Sequence, residues 1–391
     1  MKIKRTYRFY PTPRQQRALA QTFGCVRVVY NAALALRQSE YTKGNKLTYG
    51  ALSKALTERK QLPNFAFLQD VSSVPLQQSL RHLDTAYVNF FAKRAKFPRF
   101  KSKRDHHQSA HDTLAGFRFE SGFLSVAKIG RLSVVWSKVP ESAPRSISIT
   151  KDASDRYWVT LTLDTEMTHL PQTGTSVGLD LGIASLVTLS TGEKVANPRH
   201  IKVAAVKLAK AQRILMRRQR GSQRYRRQRL RVAKLHAHVA ACRKDTLNKV
   251  TTSLVRRFDV IAVEDLHVKG MVRNHCLAQA ISDVGFGEFR RQLAYKCWWY
   301  GREFKVVDRF TPTSKVCSAC TAPHGAMDLS VREWTCAACG AHHDRDVNAA
   351  KNILAVGKTV IARGEYVSPK TVKTVQGRAR RSVNLPALGV A

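Results

Sequence analysis

Acidic residues are scarce in this chain: 27 Asp and Glu stand against 67 Lys and Arg, a formal charge of +40. From Lys194 to Lys244 there is no acid at all, and none follows Glu365. Such an excess opposes compaction by self-repulsion unless a polyanion neutralises it. Long apolar runs are missing too. None approaches the roughly 18 residues of a spanning helix, so no membrane partner is expected. The start, MKIKRTYRFYPTPRQQ, has basic residues but no apolar signal-peptide core. A disulfide framework is excluded as well, because only the last four of eight cysteines fall in pairs. That is a metal pattern of a reducing compartment.

What is present is globular. The 391 residues suffice for two or three domains, and a 43% hydrophobic fraction fills real cores. The expected class is an α+β multidomain protein. Nucleic acid is the expected partner, since phosphates need many cations and release counterions when they are met. A small ribosomal-type basic protein fits this size and charge less well.

Residues 2–10 are extended in character. Thr12-Pro13 starts a helix, with Gln15 completing a capping box. Leu19, Phe23, Val26, Tyr30 and Ala33 then form one buried stripe. A second helix runs from about Leu76 to Arg94, with Leu76, Leu80, Leu83, Tyr87 and Phe90 on its apolar face. In the segment 93–105, Phe97 and Phe100 sit among seven basic residues, Lys96, Arg99 and Lys101 included. Aromatics between cations suit single strands or backbone phosphates; the plainer reading is a solvated loop with two anchoring rings. Residues 114–165 alternate with period two between turns and predict a small β-barrel or sandwich, which the N-terminal strand completes. The polar stretch 165–175 marks the main boundary. Beyond it, the acid-free segment reads as two helices joined near Gly221-Ser222. A solvated face normally mixes signs, so this segment, with Arg217, Arg218 and Arg224, reads as lying along phosphates. The tail 361–391 reads as basic and flexible.

Three acidic positions carry chemistry. Asp180 lies in a strand where Val177, Leu179 and Leu181 face the other way. An acid in so apolar a strand needs a partner, and a metal ion is the natural one. Gly178 and Gly182 flank it, leaving room for a phosphate backbone. Glu264 ends the buried strand Val260–Val263, where α/β folds place their sites. Asp344 and Asp346 open a helix running to about Val356. One of them reads as a cap, Asp344, and the other, Asp346, as the metal ligand. Phosphodiester hydrolysis must place a water and stabilise a leaving oxygen, and two Mg²⁺ ions about 3.5–4 Å apart do both. Mg²⁺ prefers carboxylate, water and phosphate oxygens, with Mn²⁺ an alternative. Asp180 is expected to bridge the two ions, with Glu264 and Asp346 each holding one.

Cys317 and Cys320, then Cys336 and Cys339, form two CxxC knuckles separated by fifteen residues. That spacing closes a tetrahedral four-cysteine site for one structural Zn²⁺. His342 and His343 are surplus to it and read as ordinary polar residues or substrate contacts.

Together these motifs resemble a family. GLDLGI around Asp180, VEDL around Glu264, ISDVGFGEFRRQLAYKCWWYG at 281–301, CSAC with CAAC, and HDRDVNAAKNI resemble the TnpB nucleases of bacterial insertion sequences, relatives of type V CRISPR effectors. RFYP at 8–11, LTYG at 47–50, LQQSL at 76–80 and KFPRF at 96–100 extend the resemblance over nearly the whole chain.

The resemblance implies an RNase-H-like RuvC nuclease domain, 171–311 and 341–360, with an inserted zinc ribbon at 312–340. It implies an N-terminal wedge β-barrel, 1–10 and 96–170, carrying a helical recognition insert at 11–95. It implies a guide RNA from the transposon end, one protein per guide RNA. The target is double-stranded DNA with a short adjacent motif, which Tyr49 and Gln77 would face. Asp180, Glu264 and Asp346 would be the catalytic acids, and 281–301 a lid over the site. Such a protein works in the cytoplasm of a bacterium or archaeon, on the nucleoid. Two rivals remain. An RNase-H-fold transposase usually orders its acids Asp, Asp, Glu, unlike the order here. An RNA-guided repressor without cleavage would have lost one or more of the acids.

Overall fold

The computed structural model describes residues 1–362, apart from Arg104, His106, Thr168, Ala326 and Leu329. The tail from 363 onward therefore lies outside the described residues. The chain divides into two units, Met1–Glu166 with Lys207–Ala237, and Met167–Val206 with the residues from His238 onward. The first cut falls in the polar stretch read as the main boundary. The segment Lys207–Ala237 clusters with the first unit, whereas the sequence division places it in the nuclease domain.

In the first unit, β1 (Lys2–Phe9) leads into α1 (Pro13–Thr42). Thr12 caps α1 by accepting from the Gln15 amide, and Gln15 reaches back to the Thr12 amide, so the capping box is complete. By length and composition α1 could cross a membrane. Its stripe of Leu19, Phe23, Val26, Tyr30 and Ala33 is instead buried in the protein. Two helices follow, α2 (Tyr49–Gln61) and α3 (Ser73–Phe91). Leu76, Leu80 and Leu83 of α3 are fully buried, and Ser79 donates to the Val26 carbonyl of α1 at 3.0 Å.

The strands are β2 (Gln108–Thr113), β3 (Phe117–Glu120), β4 (Phe123–Val126), β5 (Gly130–Leu132), β6 (Val134–Val135), β7 (Ser146–Lys151) and β8 (Tyr157–Asp164). They build a five-stranded antiparallel sheet, β2-β7-β8-β1-β6, and a three-stranded meander, β3-β4-β5. The N-terminal strand does complete the larger sheet, pairing along its whole length with β8. A closed barrel is not formed by these ladders. Among the described residues β6 is the edge of the larger sheet, and the meander has no ladder to it.

The second unit is built on a mixed sheet. Its strands are β9 (Ser176–Asp180), β10 (Ser185–Leu189), β11 (Lys194–Ala196), then, after α4 (His200–Met216) and α5 (Gln223–Arg257), β12 (Val260–Glu264). After α6 (Val268–Met271), α7 (Ala278–Val284) and α8 (Phe286–Tyr300) comes β13 (Glu303–Val307). The order is β11-β10-β9-β12-β13, with β9, β12 and β13 parallel and β10 reversed. A short hairpin, β14 (Glu333–Thr335) and β15 (His342–Asp344), precedes α9 (Arg345–Ala362).

Val177, Leu179, Ile261 and Val263 are fully buried, as continuous apolar strands covered on both faces should be. The segment 281–301, expected as a lid, turns one face into the core of this unit. Ile281, Val284, Phe286, Phe289, Leu293 and Cys297 pack into the main apolar cluster of this unit. The entry to β9 is pinned by Asp259, which accepts from the Thr173 and Gly174 amides and pairs with the buried Arg302.

Candidate active site and metal centre

Asp180 ends the central strand β9, and Glu264 ends its parallel neighbour β12. The register pairs Val263 with Leu179, so the two acids follow side by side at the carboxyl ends of the strands. That edge is where open α/β sheets place their ligands. Asp346 comes from the first turn of α9, which packs across β9 and β12. All three acids line one cleft of about 770 Å³. Burial and the neighbouring Asp346 and Glu264 carboxylates push Asp180 up to about 7. Glu264 is raised by burial and by Asp265. Three carboxylates facing one space repel one another, and a divalent cation relieves that repulsion. The donor set is all oxygen, which fits Mg²⁺ or Mn²⁺.

Asp344 has a different occupation. One oxygen accepts from the Val347 amide at 3.0 Å, capping α9, and the other pairs with Lys194. Against partial burial, which pushes it up, these partners hold its carboxyl below the ordinary range. It is the cap expected from the sequence.

The structure corrects the reading of Gly178. Its missing side chain leaves no room for phosphate, because a Cβ there would stand 2.0 Å from the Ala350 carbonyl oxygen. The space is taken by α9. Four cations that local sequence reasoning did not single out also line the cleft: Arg309, Lys315, Arg332 and Arg345. Arg332 lies 3.9 Å from Asp346. Asp265, next to Glu264, grips Arg290 of α8 with one oxygen and Arg309 with the other. The position of Arg309, just beyond the carboxyl end of β13, was the available signal.

The four cysteine sulfurs lie within 4.8 Å of one another. Cys317 and Cys339 are 3.8 Å apart, and Cys320 and Cys336 3.7 Å. Sulfurs at about 2.3 Å from a shared tetrahedral centre stand about 3.8 Å apart, so the set fits a zinc ion. Each knuckle is wound the same way. The Cys317 amide donates to Ala322 and the Thr321 amide to Cys317, as Cys336 does to Ala341 and Gly340 to Cys336. Thr321 and Gly340 accordingly share a left-handed backbone, with φ of 62° and 70°. Backbone amides of Cys339 and Ala338 lower the Cys336 thiol, while the neighbouring thiols raise that of Cys339. His343 is no surface residue. It is buried, its Nε2 lies 3.0 Å from Cys317 Sγ, and its ring packs on Trp334. His342 is exposed and faces Glu333.

Among the other expected contacts, the Tyr49 hydroxyl donates to Gln77 Oε1 at 2.8 Å, so those two residues do meet. Lys96 and Arg99 are exposed, as are Arg217, Arg218 and Arg224 around the turn between α4 and α5. Lys101 is not free in that way. Its ammonium lies 4.2 Å from the centre of the Tyr30 ring, and Asn31 brackets its backbone on both sides.

Residues 154–275 match the OrfB_IS605 family model, described as "Probable transposase". Residues 286–353 match a Cas12f1-like TNB domain, and residues 1–46 a helix-turn-helix domain. In the structure that last stretch is a strand and one long helix. A "Putative RNA-guided DNA endonuclease" of Streptomyces pristinaespiralis is 47% identical over 377 residues, covering 95% of this chain and 94% of that protein. The chain belongs to the TnpB family. A second relative, the "Putative RNA-guided DNA endonuclease InsQ" of Escherichia coli K12, is 32% identical and covers 94% of this chain and 96% of its own length. In fold, the TnpB chain resembles the protein in a Cas12f1-sgRNA-target DNA complex, with a TM-score of 0.56 at 10% identity, over 90% of this chain and 98% of that one. The TNB match spans the cysteine knuckles and Asp346 of this TnpB protein, the stretch in which the ribbon meets α9.

Proposed function

We propose that this chain is an RNA-guided DNA endonuclease that hydrolyses phosphodiester bonds in the cleft of Asp180, Glu264 and Asp346. The observation that carries the proposal is the convergence of three carboxylates, from two parallel strands and a helix, on one cation-rimmed cleft. The mixed sheet is read as RNase-H-like, of the RuvC kind, with the ribbon inserted before its last helix. The first unit is read as the wedge sheet with its helical recognition insert.

Asp180, Glu264 and Asp346 would together hold the two Mg²⁺ ions. When bound, the ions supply an activated water and a stabilised leaving oxygen. Around them the chain's own residues bind and orient the strand. Arg309, Lys315, Arg332 and Arg345 offset the phosphate charge that three acids would otherwise repel. Asp344, paired with Lys194, caps the first turn of α9 and adds to its stability. Zinc at the four cysteines would close the ribbon and take no part in chemistry.

The guide RNA, encoded at the transposon end, would select the target by pairing, and Tyr49 and Gln77 would face the short adjacent motif. The exposed arginines of the acid-free helices suit nucleic-acid backbone. Such a protein acts where its DNA is, on the nucleoid.

The test is to express the chain with its native downstream sequence, sequence the co-purifying RNA, and supply matching double-stranded DNA with Mg²⁺. A discrete RNA with a variable end, and cutting that Asp180→Ala abolishes, are expected. Random cellular RNA bound to folded protein would overturn the guided reading. Persistent cutting by Asp180→Ala would overturn the site.

A further inference from the structure

The loop after β13 holds Phe310 at 87% exposure, the most exposed large apolar side chain among the described residues. It lines the acid cleft. A phenyl ring left in water is unfavourable, and a slack loop would turn it inward. This loop is not slack. The Phe310 amide donates to Asp308 Oδ1 at 2.8 Å, and the Thr311 amide to the Asp308 carbonyl at 3.1 Å. Asn352 of α9 donates to the Thr313 carbonyl at 2.8 Å. The preceding residue is fixed as well. Arg309 is gripped by Asp265, whose own amide donates to the Val307 carbonyl at 2.9 Å. Consecutive residues on a fixed backbone thus offer a held cation and an exposed ring to the same cleft.

A cation beside an aromatic face matches one nucleotide, phosphate on one and base on the other. Within a duplex both faces of a base are covered by neighbours, so only an unstacked base can use the ring. Arg309 has guanidinium N–H groups beyond the one that Asp265 accepts. We propose that Arg309 and Phe310 clamp one unpaired nucleotide of the strand being cut, its phosphate on Arg309 and its base stacked on Phe310. The clamp rests on reading the cleft as the nuclease site, and it assigns two further residues there to holding the strand.

The test uses the full chain with its guide RNA and an Asp180→Ala background that leaves DNA uncut. A photoreactive 5-iodouracil is stepped through the strand across the cut position. Crosslinking to Phe310 from one step, mapped by mass spectrometry and lost in Phe310→Leu, is expected. With Asp180 restored, Phe310→Ala should weaken use of the strand by about 5- to 150-fold, the range for one stacked base, at an unchanged melting temperature. Phe310→Trp should restore it. An abasic site at the crosslinking step should reproduce the Phe310→Ala defect and add nothing to it. Crosslinks that map elsewhere at every step, or Phe310→Ala cutting as wild type, would overturn the clamp. If Asp180→Ala is dead and Phe310 takes no crosslink, only the clamp fails. If Asp180→Ala still cuts, the nuclease reading fails instead.

Discussion

Gly178 and Ala350 touch backbone to backbone: a Cβ on the glycine would lie 2.0 Å from the alanine's carbonyl oxygen and 2.7 Å from the Leu354 nitrogen. The contact seats α9, which carries Asp346, on β9, which carries Asp180. Gly357 repeats it one strand over, where a Cβ would meet the Ala262 side chain at 2.6 Å. Gly178→Ala should therefore cost about 1–3 kcal/mol or more by overpacking. It should also lower cutting beyond what the stability loss explains, because the two acids move apart. Calorimetry beside cleavage rates measured well below the melting temperature checks both.

Asp344 and Asp346 stand two residues apart and should behave oppositely. Asp344→Ala removes a cap and the Lys194 pair, so it should lower stability by roughly 1 kcal/mol while cutting persists. Asp346→Asn should leave the melting temperature near wild type and reduce cutting by about 100-fold or more, a loss of about 3 kcal/mol at the transition state. Swapped outcomes would move the third acid to Asp344.

Metal dependence should follow pH in a stated direction. Asp180 is pushed up to about 7, and only its ionised form binds a cation. Below that point the metal must displace a proton, so the Mg²⁺ needed for half-maximal cutting should rise about fivefold from pH 7 to pH 6. Above pH 8 it should level off. A midpoint that does not change with pH would count against Asp180 as a ligand.

Asp112 offers a stability test in the first unit. It is buried, its Oδ1 has no hydrogen-bond partner, and burial pushes its carboxyl up to about 7. The folded state thus holds this proton more tightly than the unfolded chain does. The associated stability is complete below about pH 4 and is lost as pH rises to 7. Asp112→Asn, which carries no charge at any pH, should flatten that decline and match or exceed wild type at pH 8 in thermal melts.

His343 should hold the ribbon together through Cys317. Replacing it with Ala removes the ring that touches the sulfur and should weaken zinc retention by about 10- to 100-fold, read by competition with a chromogenic chelator. Thr321→Gly, by contrast, relieves a β-branched residue at φ 62° and should raise the melting temperature slightly.

Where residues act through local pattern, the sequence was enough. Thr12 and Gln15 announce a helix start because a capping box is closed within four residues. Asp180 and Glu264 are legible because each interrupts a strand otherwise buried on both faces. The paired cysteines are legible by spacing alone. What escaped depends on contacts far along the chain. The space beside Gly178 belongs to a helix some 170 residues later, so the glycine looks like room for a ligand until α9 is seen. His343 seems surplus beside four cysteines, because only folding brings its ring to Cys317. The segment 281–301 is a lid only by resemblance, and the full burial of Phe289 and Leu293 under it shows only in the fold. Phe310 escaped for the opposite reason: an exposed ring leaves no periodic trace.

The first knuckle docks on α9 through two asparagines. Asn348 accepts from the Ser318 amide and donates to the Val316 carbonyl, while Asn352 reaches Val316 and Thr313. The third acid is thus delivered last, on a helix that needs both the closed ribbon and the finished sheet as its seat. On this reading, a nascent chain that has exposed Asp180 and Glu264 still lacks its third acid. With the acid cleft as the nuclease site, the weapon is armed only after the ribosome has released the helix beyond the second knuckle.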